Sequence, residues 1–202
     1  MRLIDINLKI LILIGTLILA GISFPVQAEK VNPEITLISV YDNYQVDPKL
    51  KTAWGFATII KTPQELILFD TGGNSEILLS NMEKLSINPA SIKKVVISHI
   101  HGDHVGGLED FLERNSNVTV FIPSSFPKSV KNMIIQKGAN FVEVSAPGKI
   151  SDFAYTTGEL YGPPKEQSLI INSKKGLVVI TCLLYTSPSP RDAHESRMPS
   201  SA

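Results

Sequence analysis

The stretch SHIHGDHVGG, residues 98–107, puts His99, His101, Asp103 and His104 within six consecutive positions of a 202-residue chain that has only four histidines. Imidazole nitrogen and carboxylate oxygen are favoured ligands of Zn²⁺ and related divalent ions. The preceding KKVVIS reads as a short buried strand. His99 and His101 therefore stand at a strand end as residues i and i+2, on one side of the chain, and are expected to reach one ion together. Gly102 is expected to permit a sharp turn. That turn would swing Asp103 and His104 onto a second ion a few ångströms away. Two ions so placed can activate water and steady the oxyanion its attack creates. A single histidine is most simply a polar surface residue. Three with an aspartate, between a buried strand and a Gly-Gly helix start, point to metal.

The elements around the cluster place it. Residues 35–41, 55–61 and 66–70 are β-branched or aromatic runs bounded by polar turns, and read as strands. The first two are joined by the long polar loop DNYQVDPKLKTAW, of a length often reserved for functional lids. DTGGNS then opens a helix whose Leu78, Met82 and Leu85 share one face, and Pro89 breaks it. After Gly106 and Gly107, Leu108, Phe111 and Leu112 repeat at helical spacing. VTVFIP is a strand, FPKSVKNMIIQKGA a helix with Pro127 in its first turn, and NFVEVS another strand. FAYTTGEL, SLIINS and GLVVIT are the last strands, the final two forming a hairpin around residues 173–176. Strands, then βαβα, then strands suit a sheet layered against helices.

Formal charge is zero, with 19 basic and 19 acidic residues, which argues against nucleic acid as the main partner. One cysteine excludes a disulfide framework. Arg2 and Lys9 precede ILILIGTLILAGI, which is followed by Pro25 and then Val26-Gln27-Ala28, a small-x-Ala cleavage pattern. Residues 1–28 are thus expected to be a signal peptide, the alternative being an uncleaved anchor, and the mature protein to be periplasmic or secreted. Residues 29–181 are the expected domain. From Cys182 the apolar period stops. CLLYTSPSPRDAHESRMPSSA, residues 182–202, resembles the translation of a transposase-type sequencing adapter, the alternative being a natural Ser/Pro-rich tail. His194 lies in that stretch and is not counted as a ligand.

HIHGDH resembles the H-x-H-x-D-H signature of the metallo-β-lactamase superfamily, and FDTGG before a helix resembles that superfamily's first motif. YDNY, KTAWGF, NMEKL, TTGEL, KEQSL and KGLVVIT together resemble its dihydropterin ribofuranosylaminobenzene-phosphate synthase-like branch. The resemblance implies an α/β fold, the αββα sandwich, of which this chain would carry the N-terminal half to two-thirds. It implies two divalent ions, zinc first, with manganese or iron as alternatives. His99 and His101 would bind one ion, Asp103 and His104 the other. Asp103 would also orient the attacking water, and Asp70 would fix the ligands by hydrogen bonds; the plainer reading of Asp70 is a helix-start turn residue. The family requires a third histidine, a bridging aspartate and a later histidine as well. In the branch, KGLVVIT runs on into Gly-Cys-(Ser/Ala)-His, so the remaining ligands are expected beyond Thr181 and the chain as written is expected to turn over little.

The implied activity is an exported metal-dependent hydrolase using a metal-activated hydroxide on an ester, thioester, amide or phosphoester. The rivals are a pterin-phosphate synthase-like transferase and a metal-binding module without turnover. The expected partner is a small molecule, with membrane contact only through an uncleaved signal; oligomeric state is not legible. Trp54 and Tyr44 either line a substrate mouth or pack in the core. Glu166 and Gln167 either contact substrate or, the plainer reading, are solvated loop residues. A sheet left open on one face is expected to aggregate.

Overall fold

Isoleucine, leucine, valine and phenylalanine run continuously through three short segments, so one sheet is buried on both faces. In a computed structural model describing residues 34–182, that sheet has six strands. The leader expected over 1–28 and the adapter-like stretch after Cys182 lie outside the described residues. The strands are β1 (Thr36–Tyr41), β2 (Ala57–Lys61), β3 (Leu66–Phe69), β4 (Ile92–Val96), β5 (Thr119–Pro123) and β6 (Asn140–Val144), lying side by side in chain order. β1 to β3 are antiparallel, and β3 to β6 are parallel. The parallel pairs are joined through helices, as such crossovers require. These are α1 (Ser75–Lys84), α2 (Gly102–Val105) and α3 (Leu108–Arg114), and α4 (Lys128–Gln136).

Alternation of side chains along each strand divides the interior in two. Ile59, Leu68, Val95 and Val120 face Leu78 and Met82 of α1, Phe111 of α3 and Ile134 of α4. Their neighbours Ile60, Ile67, Phe69 and Val96 face a second sheet through Ile150, Ala154, Leu169 and Ile171. That sheet is antiparallel, ordered β7 (Gly148–Lys149), β8 (Ala154–Thr156), β9 (Leu169–Ser173), β10 (Gly176–Ile180). The layering is helix, sheet, sheet, and the expected α/β sandwich is borne out. Helix α1 starts where Asn74 Oδ1 accepts from Ile77 N at 3.0 Å, an N-cap.

Several boundaries differ from the sequence reading. β3 stops at Phe69, because Asp70 leaves the strand with φ 59°. Pro127 flanks α4 as its N-cap and is not in its first turn. FAYTTGEL is strand only over Ala154–Thr156, after which the chain is drawn off the sheet. The pull comes from Glu159, whose carboxylate accepts from Ser125 N at 2.7 Å and pairs with Lys165 at 3.1 Å. Asn81, buried in α1, pins the long early loop: its amide donates to Val40 O and Lys51 O, and its oxygen accepts from Lys51 N.

Two outcomes follow. Among the described residues β10 is the edge of its sheet, with Leu177 69 % and Val179 58 % exposed. Unpaired edge and apolar surface together favour strand-to-strand association. Light scattering should show concentration-dependent self-association, and Val179→Lys should suppress it; a wild type that stays monomeric at 100-fold higher concentration would contradict this. Burial opposes ionisation of Glu159, but the Ser125 and Lys165 hydrogen bonds prevail and hold its carboxyl down at about 2, against 4.5 ordinarily. A depressed acid stabilises the fold above its unfolded value and loses that contribution as pH falls through the folded one. Glu159→Gln should therefore melt below wild type at pH 6, and the gap should close between about pH 4.5 and 2.

Candidate metal centre

The ends of β3 and β4 are neighbours in the parallel part of the sheet, and their carboxyl ends are where such sheets place ligands. Beyond β3, Asp70 takes a left-handed backbone conformation that aspartate tolerates better than most residues. This turns its carboxylate inward, where it is fully buried. Oδ1 accepts from Ser98 N at 2.6 Å. Oδ2 accepts from Ser98 Oγ at 2.7 Å, from His104 Nδ1 at 2.8 Å and from Cys182 Sγ at 2.8 Å. The adjacent backbone locks the same two loops. Thr71 N and Oγ1 both donate to His104 O, at 2.8 and 2.9 Å, and Gly107 N donates to Gly72 O at 3.1 Å. A Cβ on Gly107 would stand 2.3 Å from Thr71 O, so the Gly-Gly pair is what lets the loops touch.

This network settles the proton positions on two rings. Ser98 Oγ gives its hydrogen to Asp70, so His99 Nδ1, 2.9 Å away, must donate to Ser98 Oγ. His99 Nε2 is left with a free lone pair, 3.1 Å from His101 Nδ1. Two nitrogens bound at about 2.0–2.1 Å to one tetrahedral ion stand roughly 3.3 Å apart. In the same way His104 Nδ1 donates to Asp70, and its Nε2 lies 3.3 Å from Asp103 Oδ2. The His99 and His104 rings lie against each other, tilted at 46° with centroids 4.2 Å apart, so the two donor pairs form one contiguous cluster.

His99 and His104 are buried, Asp103 is partly open and His101 is exposed, so the cluster has a dry back and a wet front. Burial, then the neighbouring His104 charge, pushes the His99 pKa down to about 4, which keeps its ring neutral and its lone pair free at neutral pH. Burial acts against a charge on His104 too, but the hydrogen bond and charge of Asp70, with Asp103, raise its pKa above the ordinary value. An ion and a proton therefore compete for the His104 ring.

Asp70, His104 and Cys182 form another tight set, with ligand atoms within 4.8 Å of one another. Burial and then the Asp70 charge hold the Cys182 thiol far above its ordinary pKa, so it is a hydrogen-bond donor and not a thiolate ligand. Asp70 Oδ2 is already filled by three donors. The residues that fit a divalent ion are therefore His99, His101, Asp103 and His104, with Asp70 behind them as the sequence reading expects. Cys182 begins the adapter-like stretch, and the arrangement of those four does not depend on its thiol.

Other expectations change. Gly102 has no left-handed φ and opens onto free space; it begins the short helix α2, and the turn is helical. Trp54 and Tyr44 are 62 % and 72 % exposed and are not core residues. Trp54 lies on the segment whose Phe56 N donates to Asp103 O at 3.3 Å. Glu166 and Gln167 are buried, contrary to the solvated loop expected for them. Gln167 ties the two sheets together: its Nε2 donates to Ile97 O and Phe121 O, and its Oε1 accepts from Thr156 Oγ1. Thr71 and Ser98 had no assigned role, although both sit inside the motifs.

A model of the Metallo-beta-lactamase superfamily matches residues 55–180. The 7,8-dihydropterin-6-methyl-4-(beta-D-ribofuranosyl)-aminobenzene-5'-phosphate synthase of Methanocaldococcus jannaschii is 31% identical over 112 residues, covering 46% of this chain and 38% of its own length. Ribonuclease Z of Streptococcus uberis is 26% identical over 129 residues, 60% of this chain and 39% of the enzyme. The chain thus spans about two fifths of these curated relatives. Among solved structures, an N-acyl homoserine lactone hydrolase with product at its catalytic metal centre aligns with a TM-score of 0.53 at 16% identity, over 72% of this chain and 73% of that one.

Asp70→Asn presents an NH₂ group to donors that need an acceptor. It should cost about 3–5 kcal/mol in urea denaturation, as breaking buried charged pairs does. Zinc affinity, measured by competition with a chromophoric chelator, should fall roughly 10–100-fold. Unchanged affinity would show that Asp70 does not position the cluster.

Proposed function

The chain belongs to the metallo-β-lactamase superfamily, and from that premise we propose that its histidine cluster holds two divalent ions and hydrolyses an ester, thioester, amide or phosphoester. The observation that carries the reading is the pair of convergent donor sets, His99 Nε2 with His101 Nδ1 and His104 Nε2 with Asp103 Oδ2, at 3.1 and 3.3 Å. Bound divalent ions supply Lewis acidity, which lowers the pKa of water toward about 7 and polarises the bond attacked. Zinc suits the mixed nitrogen and oxygen donors best, with manganese or iron as alternatives.

The chain's own groups do the rest. Ser98 and Asp70 hold the His99 and His104 tautomers with their free nitrogens forward. The Asp103 carboxylate, partly open to solvent, is placed to accept a hydrogen bond from the attacking water and orient it. The exposed Trp54, two residues before Phe56, whose N–H bonds Asp103 O, would meet the substrate at the open side. The leader expected over 1–28 supports export to a periplasm or the medium, where the substrate would be a small molecule.

A second reading rests on the synthase of M. jannaschii, 31% identical over 112 residues: transfer chemistry on a phosphorylated aromatic substrate at the same ions. Export weighs against it, because such substrates are intracellular.

Metal binding is tested on the 202-residue chain by elemental analysis and titration. Turnover is tested in the purified protein, with a panel of ester, thioester, lactone, amide and phosphodiester substrates. Hydrolysis of one class should vanish with chelator and return with zinc or manganese. His101→Ala and Asp103→Asn should each lower kcat/KM at least about 100-fold. Hydrolysis indifferent to chelator, or a chain that retains no ion, would overturn the proposal.

A further inference from the structure

One buried acid at the site has a carboxylate oxygen without a hydrogen-bond partner among the described residues. It is Glu166, only 3 % exposed, and the oxygen is Oε1. Its position is fixed on both sides. Glu166 O accepts from Leu160 N at 2.7 Å, and the next residue donates its N–H to Ser98 O at 2.9 Å. Gln167 is further held by the carbonyls of Ile97, just past β4, and Phe121, within β5. The backbone at 166–167 therefore lies directly against the residue that precedes His99. The charged neighbours of the Glu166 carboxylate are Asp70 and His104. Gln167, with all its polar groups matched, explains its own burial; Glu166 does not.

A buried carboxylate oxygen without a donor is retained only where a proton or a cation answers it. Lysine and arginine are not available: among the described residues none forms an ion pair with Glu166. The nearest acid, Asp70, has its own oxygens filled and repels a second negative charge. What the position lacks is a positive centre on the side of His104. We propose that Glu166 is an oxygen ligand of the divalent ion held beside His104, so that the chain carries one anionic ligand beyond its histidine motif. The inference rests on the metal-site reading above and deepens it. Carboxylate oxygen is an ordinary third ligand beside imidazole and aspartate for zinc or manganese.

The test compares the wild-type chain with Glu166→Gln, Glu166→Asp and His99→Ala/His104→Ala, using zinc titration against a chromophoric chelator and the visible absorption of the cobalt(II) form. Glu166→Gln keeps the volume but loses the anionic oxygen. It should weaken zinc binding at least about tenfold, alter the cobalt bands, and lose much of the rise in Tm that zinc confers on wild type. The metal-free Glu166→Gln protein should melt no lower than wild type, since no folded-state partner is removed. Glu166→Asp retains the charge on a shorter arm and should fall between the two, and it carries the comparison should the glutamine variant not fold. Wild-type affinity, stoichiometry and cobalt spectrum in both Glu166 variants would overturn the inference while leaving the histidine site intact. Zinc binding unaffected by His99→Ala/His104→Ala would overturn the site itself, and the Glu166 assignment with it.

Discussion

A single buried carboxylate governs the geometry of this site. Asp70 has no contact with water, so it can persist only where hydrogen-bond donors replace that water. Its oxygens accept from one backbone amide, one hydroxyl, one imidazole and one thiol. Three of these donors belong to Ser98, which precedes the histidine motif, and to His104, which ends it. Meeting the acid's demand thus fixes the orientation of both inner rings. The same contacts determine which nitrogen of each ring carries hydrogen, and so which one faces the open side. Chemistry at the front of the cluster is set by electrostatics at its back.

The fold supplies that carboxylate with rigid surroundings. Asp70 and Ser98 end adjacent parallel strands, and Asp70 N continues the ladder by donating to Val96 O at 2.8 Å. The loops beyond them touch backbone to backbone, which glycine alone allows at Gly107. On the other side Gln167 reaches from the second sheet to a carbonyl just past β4 and one within β5. Both layers of the sandwich therefore bear on the same few residues. A site assembled at strand ends and braced from two sheets moves less than one carried on a free loop.

The candidate metal-ligating side chains stand out in the sequence because their chemistry is local. Four donors within six residues at a strand end require no knowledge of the rest of the chain. The layered α/β character was readable for a similar reason: period-two and helical apolar patterns are local too. The roles of Ser98, Thr71, Glu166 and Gln167 were not. Each acts on a partner distant in sequence, Ser98 on residue 70 and Gln167 on residues 97 and 121, and nothing in a polar tetrapeptide such as KEQS marks it as buried. Gly102 erred the other way. A glycine between ligands suggests a sharp turn, but the chain there enters a helical turn that any small residue would serve.

Counting charge shows why the arrangement favours a cation. Asp70, Asp103 and Glu166 bring three acids to the two buried rings of His99 and His104, and no lysine or arginine among the described residues is paired with them. Like charges at close range in a poorly hydrated interior are costly, and proteins relieve them with protons or metal. A proton shared with His104 relieves the pair at Asp70 and Asp103, yet it leaves Glu166 Oε1 without a donor. A divalent ion at the free nitrogen of His104 answers the aspartate in front and the glutamate beside it at once. It also leaves the Nδ1 hydrogen bond to Asp70 undisturbed, because metal and carboxylate use opposite nitrogens of the ring. The electrostatics of the polypeptide thus match the sign of the proposed ligand.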